Sequence, residues 1–341
     1  MSTCSAQHRL IPAALEAVST ACAVSRAIQA NLDQLRQVTK DDRSPVTVAD
    51  FAVQAIVALS LADQLPESDR LIVGEEDAKE LRSNEQSAIR AAVLEAVRTW
   101  RPQITEEEML HAIDGCDHDG SSDGYFALDP IDGTKGFLRG QHYAIALGRI
   151  ENGKVVAGVM GCPNLSIDQS FPLHEIDPCG VVYAASGGAG AWEFADCDAT
   201  TTPIRIVAQQ FDESRPLRFC ESAEKGHSNR GDSELIIEAV GTPGEPARLD
   251  SQCKYTLVAR GQADGYLRLP TSKEYVEKIW DHAAGVCIAT EAGAIVSDVS
   301  GNPLDFTHGT RLEQNRGVIC ATDGLHQRII ATIQELAIAQ G

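Results

Sequence analysis

Two carboxylates stand three residues apart in the segment ALDPIDGTKGF, at Asp129 and Asp132, with a proline between them. Because proline is excluded from the interior of a regular helix, DPIDG is predicted to be a tight turn after the strand YFALD. The turn would direct both carboxylates and the carbonyl of Ile131 toward one point. Such oxygen ligands suit a hard cation such as Mg²⁺, which would match their charge. An isolated DPIDG would also suit an ordinary surface turn.

Three other segments supply acids that could join this site. Glu75 and Glu76 follow the apolar run LIV and a glycine. Asp50 lies early in one predicted helix, and Asp281 lies directly ahead of another. Each acid alone would also suit a helix-capping or first-turn role, because acids are common at the N-cap and in the first turn of helices. The set as a whole is what indicates a shared site.

These segments are similar to those of a known family. KDDRSPVTVADF, VGEED, LDPIDGTKGFLRG and EKIWDHAAG resemble the inositol monophosphatase superfamily of Mg²⁺-dependent, lithium-sensitive phosphatases. Within it, the long form DPIDGTKGFLRG and the blocks GHSN, SQCKYTLVARG and GYLRLP resemble the 3'(2'),5'-bisphosphate nucleotidases. The resemblance runs in patches from about Lys40 to Gly293. One departure is the acidic segment GCDHDGSSDG, where a glycine-rich and often basic stretch is expected.

The resemblance implies a role for each matching residue. Two or three Mg²⁺ ions would be held by Glu75, Asp129, the Ile131 carbonyl, Asp132 and Asp281. Glu75 is preferred to Glu76 because the family uses the acid directly after the glycine. Asp50, hydrogen-bonded to water or to Thr134, would help to activate the nucleophile.

Phosphoryl transfer explains why these residue types are needed. The reaction requires an in-line water and neutralisation of the phosphate oxygens, and clustered cations provide both effects. The Thr134 hydroxyl can accept a proton from the water while it donates its own to Asp50. The backbone N–H groups of Gly133 and Thr134 can hold phosphate.

The substrate side is also implied by the resemblance. Ser251, Lys254 and Arg268 would hold the 5'-phosphate and sugar of a nucleotide, with His227 near the adenine or that phosphate. Asp281 would touch the ribose as well as the metal. The implied activity is hydrolysis of the 3'-phosphate of 3'-phosphoadenosine 5'-phosphate, and also of 3'-phosphoadenylyl sulfate, in sulfur assimilation.

Two alternative functions stay open. An inositol phosphate or inositol polyphosphate 1-phosphatase would use the same metal site, but His227, Lys254 and Arg268 favour a nucleotide. A catalytically silent nucleotide sensor would bind without turnover. The complete set of acids weighs against a sensor, because a silent relative should tolerate the loss of a ligand.

Helices are predicted in the first hundred residues. Apolar residues at helical spacing predict an amphipathic helix over residues 12–38 and a second from near Thr47 to Pro66. The segment SAIRAAVLEAVRTW predicts a third, which ends before Pro102. LIV is predicted to be a strand, whereas EEEML and DGCDHDGSSDG are predicted to be acidic, turn-rich loop.

From Tyr125 the pattern becomes strand-like. YAIALGRIENGKVVAGVMGCP predicts a β-hairpin about Asn152-Gly153, and strand-like and helical runs alternate in the second half of the chain. We therefore expect an α+β / α/β fold, by resemblance a layered αβαβα sandwich of two domains. Residues 1–158 would carry most metal ligands, and residues 159–341 would carry the substrate-binding residues and Asp281.

Composition limits the other classes of function. The 341 residues carry 29 Lys plus Arg against 49 Asp plus Glu, a formal charge of −20, which disfavours binding to a nucleic acid polymer. No uninterrupted apolar run approaches the length that a membrane span requires, and no secretory signal pattern is found, so we expect a cytoplasmic protein without a membrane segment. The ten cysteines are dispersed, with none at CxxC spacing, and are predicted to be reduced. A small-molecule nucleotide is the expected ligand, and no protein partner is predicted.

Overall fold

The computed structural model describes residues 8–33, 35, 44–79, 81–222, 230–270, 272 and 274–338. The α-helices in this part of the chain are α1 (Ile11–Ala30), α2 (Ser44–Gln64), α3 (Ser87–Arg98), α4 (Glu106–Asp114), α5 (Thr134–Leu138), α6 (Arg230–Val240), α7 (Cys253–Ala259), α8 (Ala283–Glu291) and α9 (Leu325–Glu335). The strands are β1 (Ile72–Gly74), β2 (Gly124–Asp132), β3 (Ala144–Glu151), β4 (Lys154–Cys162), β5 (Val181–Ser186), β6 (Gly190–Ala195), β7 (Ile204–Ile206), β8 (Phe219–Glu221), β9 (Ala247–Arg248), β10 (Gly265–Arg268), β11 (Ala294–Ser297) and β12 (Val318–Thr322).

The strands form two mixed sheets. The first has seven strands in the order β1-β2-β3-β4-β5-β6-β7, antiparallel except for the parallel pair β1 and β2. The second has five strands in the order β11-β12-β10-β8-β9. Helices α1 and α2 cover one face of the first sheet, α7 and α8 lie between the sheets, and α6 and α9 cover the far face of the second. This layering confirms the predicted αβαβα sandwich.

Alternating side chains in the first sheet explain why both of its faces are covered. Along β3, Ile145 and Leu147 pack into the core with α1 and α2, whereas Ala144 and Ala146 pack toward α7 and α8. Successive side chains of a strand point to opposite faces, so apolar residues at both parities require a helical layer on each side.

Glycines bring α8 unusually close to the first sheet. A Cβ atom at Gly148 of β3 would lie 2.5 Å from the Cβ of Ala283, and one at Gly158 of β4 would lie 2.8 Å from the carbonyl oxygen of Ala284. Because α8 also presents small residues at its start, the helix rests directly on the strands. This contact sets the position of Asp281, which precedes α8 by two residues.

One predicted helix and one predicted loop are corrected. The helix predicted over residues 12–38 is interrupted at Asn31, which leaves the helical conformation and donates its side-chain amide to the Ala27 carbonyl at 2.8 Å, so α1 ends at Ala30. Residues 32, 33 and 35 are helical again, and residues 34 and 36–38 of the prediction lie outside the described residues. The EEEML segment, predicted to be loop, begins α4. Its N-terminus is closed by a capping box in which Thr105 and Glu108 satisfy each other's backbone N–H groups.

The turn predicted at DPIDG is also corrected. β2 continues through Asp132, with Asp129 paired to Ala146 and Asp132 paired to Ala144, so the register slips by one residue. Pro130 and Ile131 therefore form a β-bulge rather than a separate turn. The chain turns only at Gly133, where φ is +93°.

The predicted hairpin between β3 and β4 is confirmed. Asn152 and Gly153 both have positive φ, at 50° and 72°, as a two-residue hairpin turn requires. The division into domains at residues 158 and 159 stays a prediction, and that boundary lies inside β4, which is hydrogen-bonded to a strand on each side.

Two helices are long and apolar enough to cross a membrane by length and composition alone. Ile11–Ala30 is 61% buried and Val46–Gln64 is 72% buried within the protein, as expected of core helices. They pack against each other and against the first sheet. The nine cysteines among the described residues are free thiols, and all but Cys179 are buried.

Candidate active site

A cavity of about 470 Å³ opens between the end of β2, the start of α7 and the segment ahead of α8. Most of the predicted site residues line it, namely Glu75, Asp129, Ile131, Asp132, Gly133, Thr134, Ser251, Lys254, Arg268 and Asp281. Asp50 lies outside the lining, and His227 lies outside the described residues. A larger cleft of about 880 Å³ lies between α1 and β6, away from these residues.

Strand pairing explains how Glu75 reaches Asp129. β1 and β2 are parallel, with Gly74 opposite Leu128. The next residues, Glu75 and Asp129, are therefore neighbours at the C-terminal ends of the two strands. The loop that carries Glu75 is held by Gln54 of α2. The Gln54 side chain donates to the Glu76 carbonyl at 2.8 Å and accepts from the Glu76 N–H at 3.1 Å.

Gly133 joins the acidic side of the cavity to the opposite wall. A Cβ atom at this position would lie 2.9 Å from the Cβ of Ser251. Ser251 itself has a φ of +75°, a conformation that is strained for serine. The next residue, Gln252, donates its backbone N–H to Oδ2 of Asp132 at 2.6 Å. The segment ahead of α7 is thereby held against the end of β2.

The acids raise one another's pKa. Burial and then the negative charge of Asp281, Glu76 and Asp132 raise the pKa of Glu75 to about 7. Burial, followed by Glu75, Asp132 and Asp281, raises the pKa of Asp129 well above its usual range. For Asp281, burial raises the pKa in spite of the opposing effect of Arg268. Crowded, desolvated carboxylates of this kind resist ionisation unless a cation joins them.

The donor set fits a divalent metal ion. Oδ1 of Asp129 is buried and has no hydrogen-bond partner among the described residues. A buried carboxylate oxygen without a donor is costly, and a metal ion would satisfy it. Oxygen donors alone, from carboxylates and a carbonyl, are the ligands of Mg²⁺ rather than of softer metals. The metal-ligand roles of Glu75, Asp129, Ile131, Asp132 and Asp281 stay predictions.

Asp50 interacts electrostatically with Glu76 and Glu75 but does not line the cavity. It is 9% exposed on α2, and burial, followed by Glu76 and Glu75, raises its pKa well above the usual range. Among the described residues, no hydrogen bond joins Asp50 to Thr134. The catalytic roles of Asp50 and Thr134 therefore stay predictions.

The opposite wall of the cavity is cationic. Lys254 is 6% exposed, and its Nζ lies 5.3 Å from the ring centre of Tyr266 and 3.4 Å from the carbonyl oxygen of Leu249. Burial lowers the pKa of Lys254, while Asp132 and Asp250 oppose the effect. Arg268 stands at the end of β10 and lines the same wall.

Several residues around Arg268 were not predicted from the sequence. Glu277 binds the Arg268 guanidinium, His282 contacts Glu277, and Tyr275 stands 47% exposed at the cavity with its hydroxyl 3.3 Å from Nη2 of Arg268. A usable signal was present, because an arginine within the apolar strand GYLRL needs a nearby counter-charge. Another missed residue is Asp250, whose carboxylate accepts from Arg139 and from Ser222.

The acidic departure GCDHDGSSDG does not line the cavity. It runs along the outer edge of β1, where Gly74 donates its N–H to the Cys116 carbonyl and His118 donates its N–H to the Ile72 carbonyl. These contacts cover an otherwise unpaired sheet edge. The segment therefore stabilises β1, the strand that directly precedes Glu75.

The fold and the site define the class of protein. The sequence matches the inositol monophosphatase family over residues 6–337, and the chain belongs to that family. Members of this family are metal-dependent, typically with Mg²⁺. Among solved structures, SuhB of Mycobacterium tuberculosis superposes with a TM-score of 0.60 at 22% identity, covering 97% of this chain and 98% of that one. An inositol monophosphatase from Anabaena gives a TM-score of 0.59 at 18% identity, covering 96% and 95%. Both likenesses concern the fold.

Curated relatives are more similar in sequence. The 3'(2'),5'-bisphosphate nucleotidase of Schizosaccharomyces pombe is 44% identical over 304 residues, which cover 86% of this chain and 84% of the relative. The 3'(2'),5'-bisphosphate nucleotidase of Oryza sativa is 40% identical over 337 residues, which cover 95% and 93%. The resemblance inferred from the sequence segments is confirmed.

Proposed function

We propose that the protein is a metal-dependent 3'(2'),5'-bisphosphate nucleotidase that hydrolyses 3'-phosphoadenosine 5'-phosphate to AMP and phosphate. One observation carries the proposal. A single cavity has a cluster of carboxylates on one wall and two buried or half-buried cations, Lys254 and Arg268, on the other. A substrate with two phosphates suits this arrangement, and the relatives named above bear the same activity in their names.

The acidic wall would bind the phosphate that is cleaved. Bound Mg²⁺, in two or three positions, would supply Lewis-acid stabilisation of the phosphate oxygens and lower the pKa of water. Glu75, Asp129, Ile131, Asp132 and Asp281 are the residues that would hold the ions. Without a cation this wall would repel any phosphate, because its acids face the same cavity.

Thr134 and Gly133 would orient the reacting groups. Thr134 lines the cavity directly after the Gly133 turn, and its hydroxyl would take a proton from the attacking water. Asp50 would accept the proton of that hydroxyl, either directly or through water. The backbone N–H groups of Gly133 and Thr134 would bind the phosphate oxygens.

The cationic wall would bind the phosphate that is kept. Ser251, Lys254 and Arg268 are proposed to hold the 5'-phosphate and sugar, with Asp281 near the ribose. His227 is proposed to lie near the adenine or that phosphate. Since the sulfate of 3'-phosphoadenylyl sulfate extends from the 5' side, its scissile 3'-phosphate is the same. We therefore include that nucleotide among the substrates.

Phosphate release from purified protein tests the proposal. With Mg²⁺, 3'-phosphoadenosine 5'-phosphate should be cleaved much faster than inositol 1-phosphate, and cleavage should stop when EDTA removes the metal. Preferential cleavage of the inositol phosphate would contradict the nucleotide assignment. Binding of the nucleotide without any phosphate release would identify a silent sensor instead.

The acidic cluster is tested by Asp132→Asn. This change removes the charge that Gln252 and the proposed metal share, and turnover should fall by a factor of about 10³ or more. Asp123→Asn, in the exposed acidic segment outside the cavity, is the matched control and should keep wild-type turnover. Equal activity of the two variants would contradict the metal site.

Lithium sensitivity and location complete the proposal. Li⁺ would occupy a Mg²⁺ position without supplying its charge, so LiCl at tens of millimolar should inhibit phosphate release. A cytoplasmic location stays a prediction, which fractionation of cells that express the protein would check.

A further inference from the structure

Arg268 is held along one edge of its guanidinium. Its Nε lies 3.0 Å from Oε1 of Glu277, and its Nη2 lies 2.7 Å from Oε2 of the same carboxylate. This is the two-point geometry in which an arginine and a carboxylate bind most strongly. The Tyr266 hydroxyl is a further hydrogen-bond partner of the guanidinium. The Arg268 side chain is still 25% exposed and lines the cavity, so it can contact a ligand there.

Glu277 is itself anchored in the core. Its Oε2 lies 3.2 Å from Nε2 of His282, and Nδ1 of His282 lies 2.8 Å from the hydroxyl of Tyr255. Glu277 is 4% exposed, while His282 and Tyr255 are each 0% exposed. A proton on Nε2 of His282 lets it donate to Glu277 and accept from Tyr255, so one tautomer satisfies both contacts. The chain of contacts runs from α7 to the cavity wall.

The contacts of Glu277 with His282 and Arg268 favour its ionised form. Burial raises its pKa, but the contacts with His282 and Arg268 outweigh burial, and the pKa lies below its ordinary value. An ionised Glu277 beside Arg268 forms a buried, two-point ion pair. Breaking one member of such a pair leaves the other uncompensated.

Arg268 also has a competing partner. Its Nη2 lies 3.2 Å from Oδ2 of Asp281, one of the proposed metal ligands. Without Glu277 the guanidinium would be free to move toward Asp281, which is the other carboxylate within reach. That movement would withdraw the cation from the wall that faces the kept phosphate.

We propose that Glu277 is a positioning residue that holds Arg268 in place for the second, uncleaved phosphate of the substrate. The inference rests on the proposed nucleotidase function. Glu277 does not line the cavity, so its effect on the substrate passes through Arg268. The Tyr255–His282 pair secures Glu277 in turn.

Two substrates that differ by one phosphate test the inference. Adenosine 3',5'-bisphosphate carries the phosphate that Arg268 would bind, and adenosine 3'-monophosphate lacks it. Glu277→Gln keeps the shape of the side chain but removes its charge and one of the two contacts. The ratio of kcat/KM for the bisphosphate to that for the monophosphate should fall about ten-fold, since hydrogen bonds to charged groups are worth one to two orders of magnitude. The loss should appear in KM for the bisphosphate more than in kcat.

Two controls separate positioning from general damage. Glu193→Gln alters another buried glutamate that binds an arginine, Arg260 at 3.1 Å, outside the cavity, and should leave the substrate ratio at the wild-type value. In an Arg268→Ala background, Glu277→Gln should have no further effect on the ratio, because the group that it positions is gone. If Glu277→Gln does not fold, Glu277→Asp, which keeps the charge on a shorter side chain, takes its place in the comparison.

The outcomes distinguish the inference from the proposed function. A wild-type protein that does not prefer the bisphosphate would overturn both. A wild-type preference that Arg268→Ala reduces and Glu277→Gln leaves intact would overturn the inference alone. A loss of kcat on both substrates at a constant ratio would make Glu277 purely structural and would also overturn it.

Discussion

Replacing Glu75 by glutamine should stabilise the metal-free protein at pH 8, although it removes a proposed metal ligand. In the absence of metal, burial and the charges of Asp281, Glu76 and Asp132 raise the pKa of Glu75 from 4.5 to about 7. An ionised Glu75 therefore costs folding free energy. Glutamine keeps the size of the side chain and removes the charge.

The cost follows from the shift in pKa. A rise from 4.5 to about 7 corresponds to about 3.4 kcal/mol at about 1.36 kcal/mol per unit, as an upper bound. The Glu75 carboxylate is crowded by protein groups, but the residue as a whole is open to solvent at the cavity, so solvent screens the repulsion and about 1–2 kcal/mol is a better expectation. An unfolding entropy of about 2.1 cal/mol/K per residue converts this value to a rise in Tm of about 2 °C for a chain of 341 residues.

The sign depends on pH. Between the unfolded pKa of 4.5 and the folded pKa of about 7, the folded protein binds more protons at Glu75 than the unfolded chain does. Wild-type stability therefore falls as the pH rises through this window, whereas the Gln variant lacks this contribution. The advantage of the variant should be absent at pH 4.5, grow up to pH 7, and stay constant above.

Thermal unfolding in EDTA at several pH values measures the effect. Glu85→Gln, an exposed glutamate outside the cavity, is the control and should leave the pH dependence unchanged. Saturating Mg²⁺ should reverse the order of the two proteins, since ligand at about 100 times its Kd stabilises by about 2.7 kcal/mol and the variant binds it more weakly. A Glu75→Gln protein that is less stable than wild type at pH 8 without metal would refute the reasoning.

Three further changes test how the site is held. Gly133→Ala places a Cβ atom on a residue with a φ of +93°, at 2.9 Å from Ser251. The free energy of unfolding in urea should fall by about 1–3 kcal/mol, and kcat should fall as well. Wild-type values for both would contradict the packing described. Gln54→Leu removes both hydrogen bonds to the Glu76 backbone and should lower the free energy of unfolding by about 1–3 kcal/mol. It should also raise the Mg²⁺ concentration needed for half-maximal activity. An unchanged Mg²⁺ titration would show that these hydrogen bonds do not affect the metal site. Thr105→Ala removes the cap of α4 and should cost about 1 kcal/mol, measured as Tm, while activity is kept; an activity loss would show that α4 matters to the site.

Local sequence pattern was enough for much of the fold. Regular apolar spacing identified α2 and α3, and the Asn152-Gly153 pair identified the hairpin, because each signal acts within a few residues. The same local reasoning misread α4. Its three consecutive acids suggested a solvated loop, but acids in the first turn of a helix are favourable, and the Thr105 cap made the helix start there.

Some residues of the candidate site could also be predicted from the sequence, whereas others could not. The acids near DPIDG could be found from residue types alone, since carboxylates that repel one another are seldom brought together without a cation to bind. The need of Arg268 for a counter-charge could be inferred from GYLRL, but not the residue that supplies it, because Glu277 contacts Arg268 only after β10 and the segment ahead of α8 come together in space. The β-bulge at Pro130 was equally hidden, since it depends on the register between β2 and β3.

The distance between Asp281 and the acids of β2 depends on two glycines, which have no side chain. Gly148 and Gly158 place no side chain between the first sheet and α8. The backbone of α8 therefore packs directly on the strands, and this contact fixes the position of Asp281. A single methyl group at either glycine would lift the start of α8 and enlarge the gap between Asp281 and the acids of β2. At the proposed metal site, Gly148 and Gly158 would therefore set the space for an ion between Asp281 and the acids of β2, although neither glycine lines the cavity.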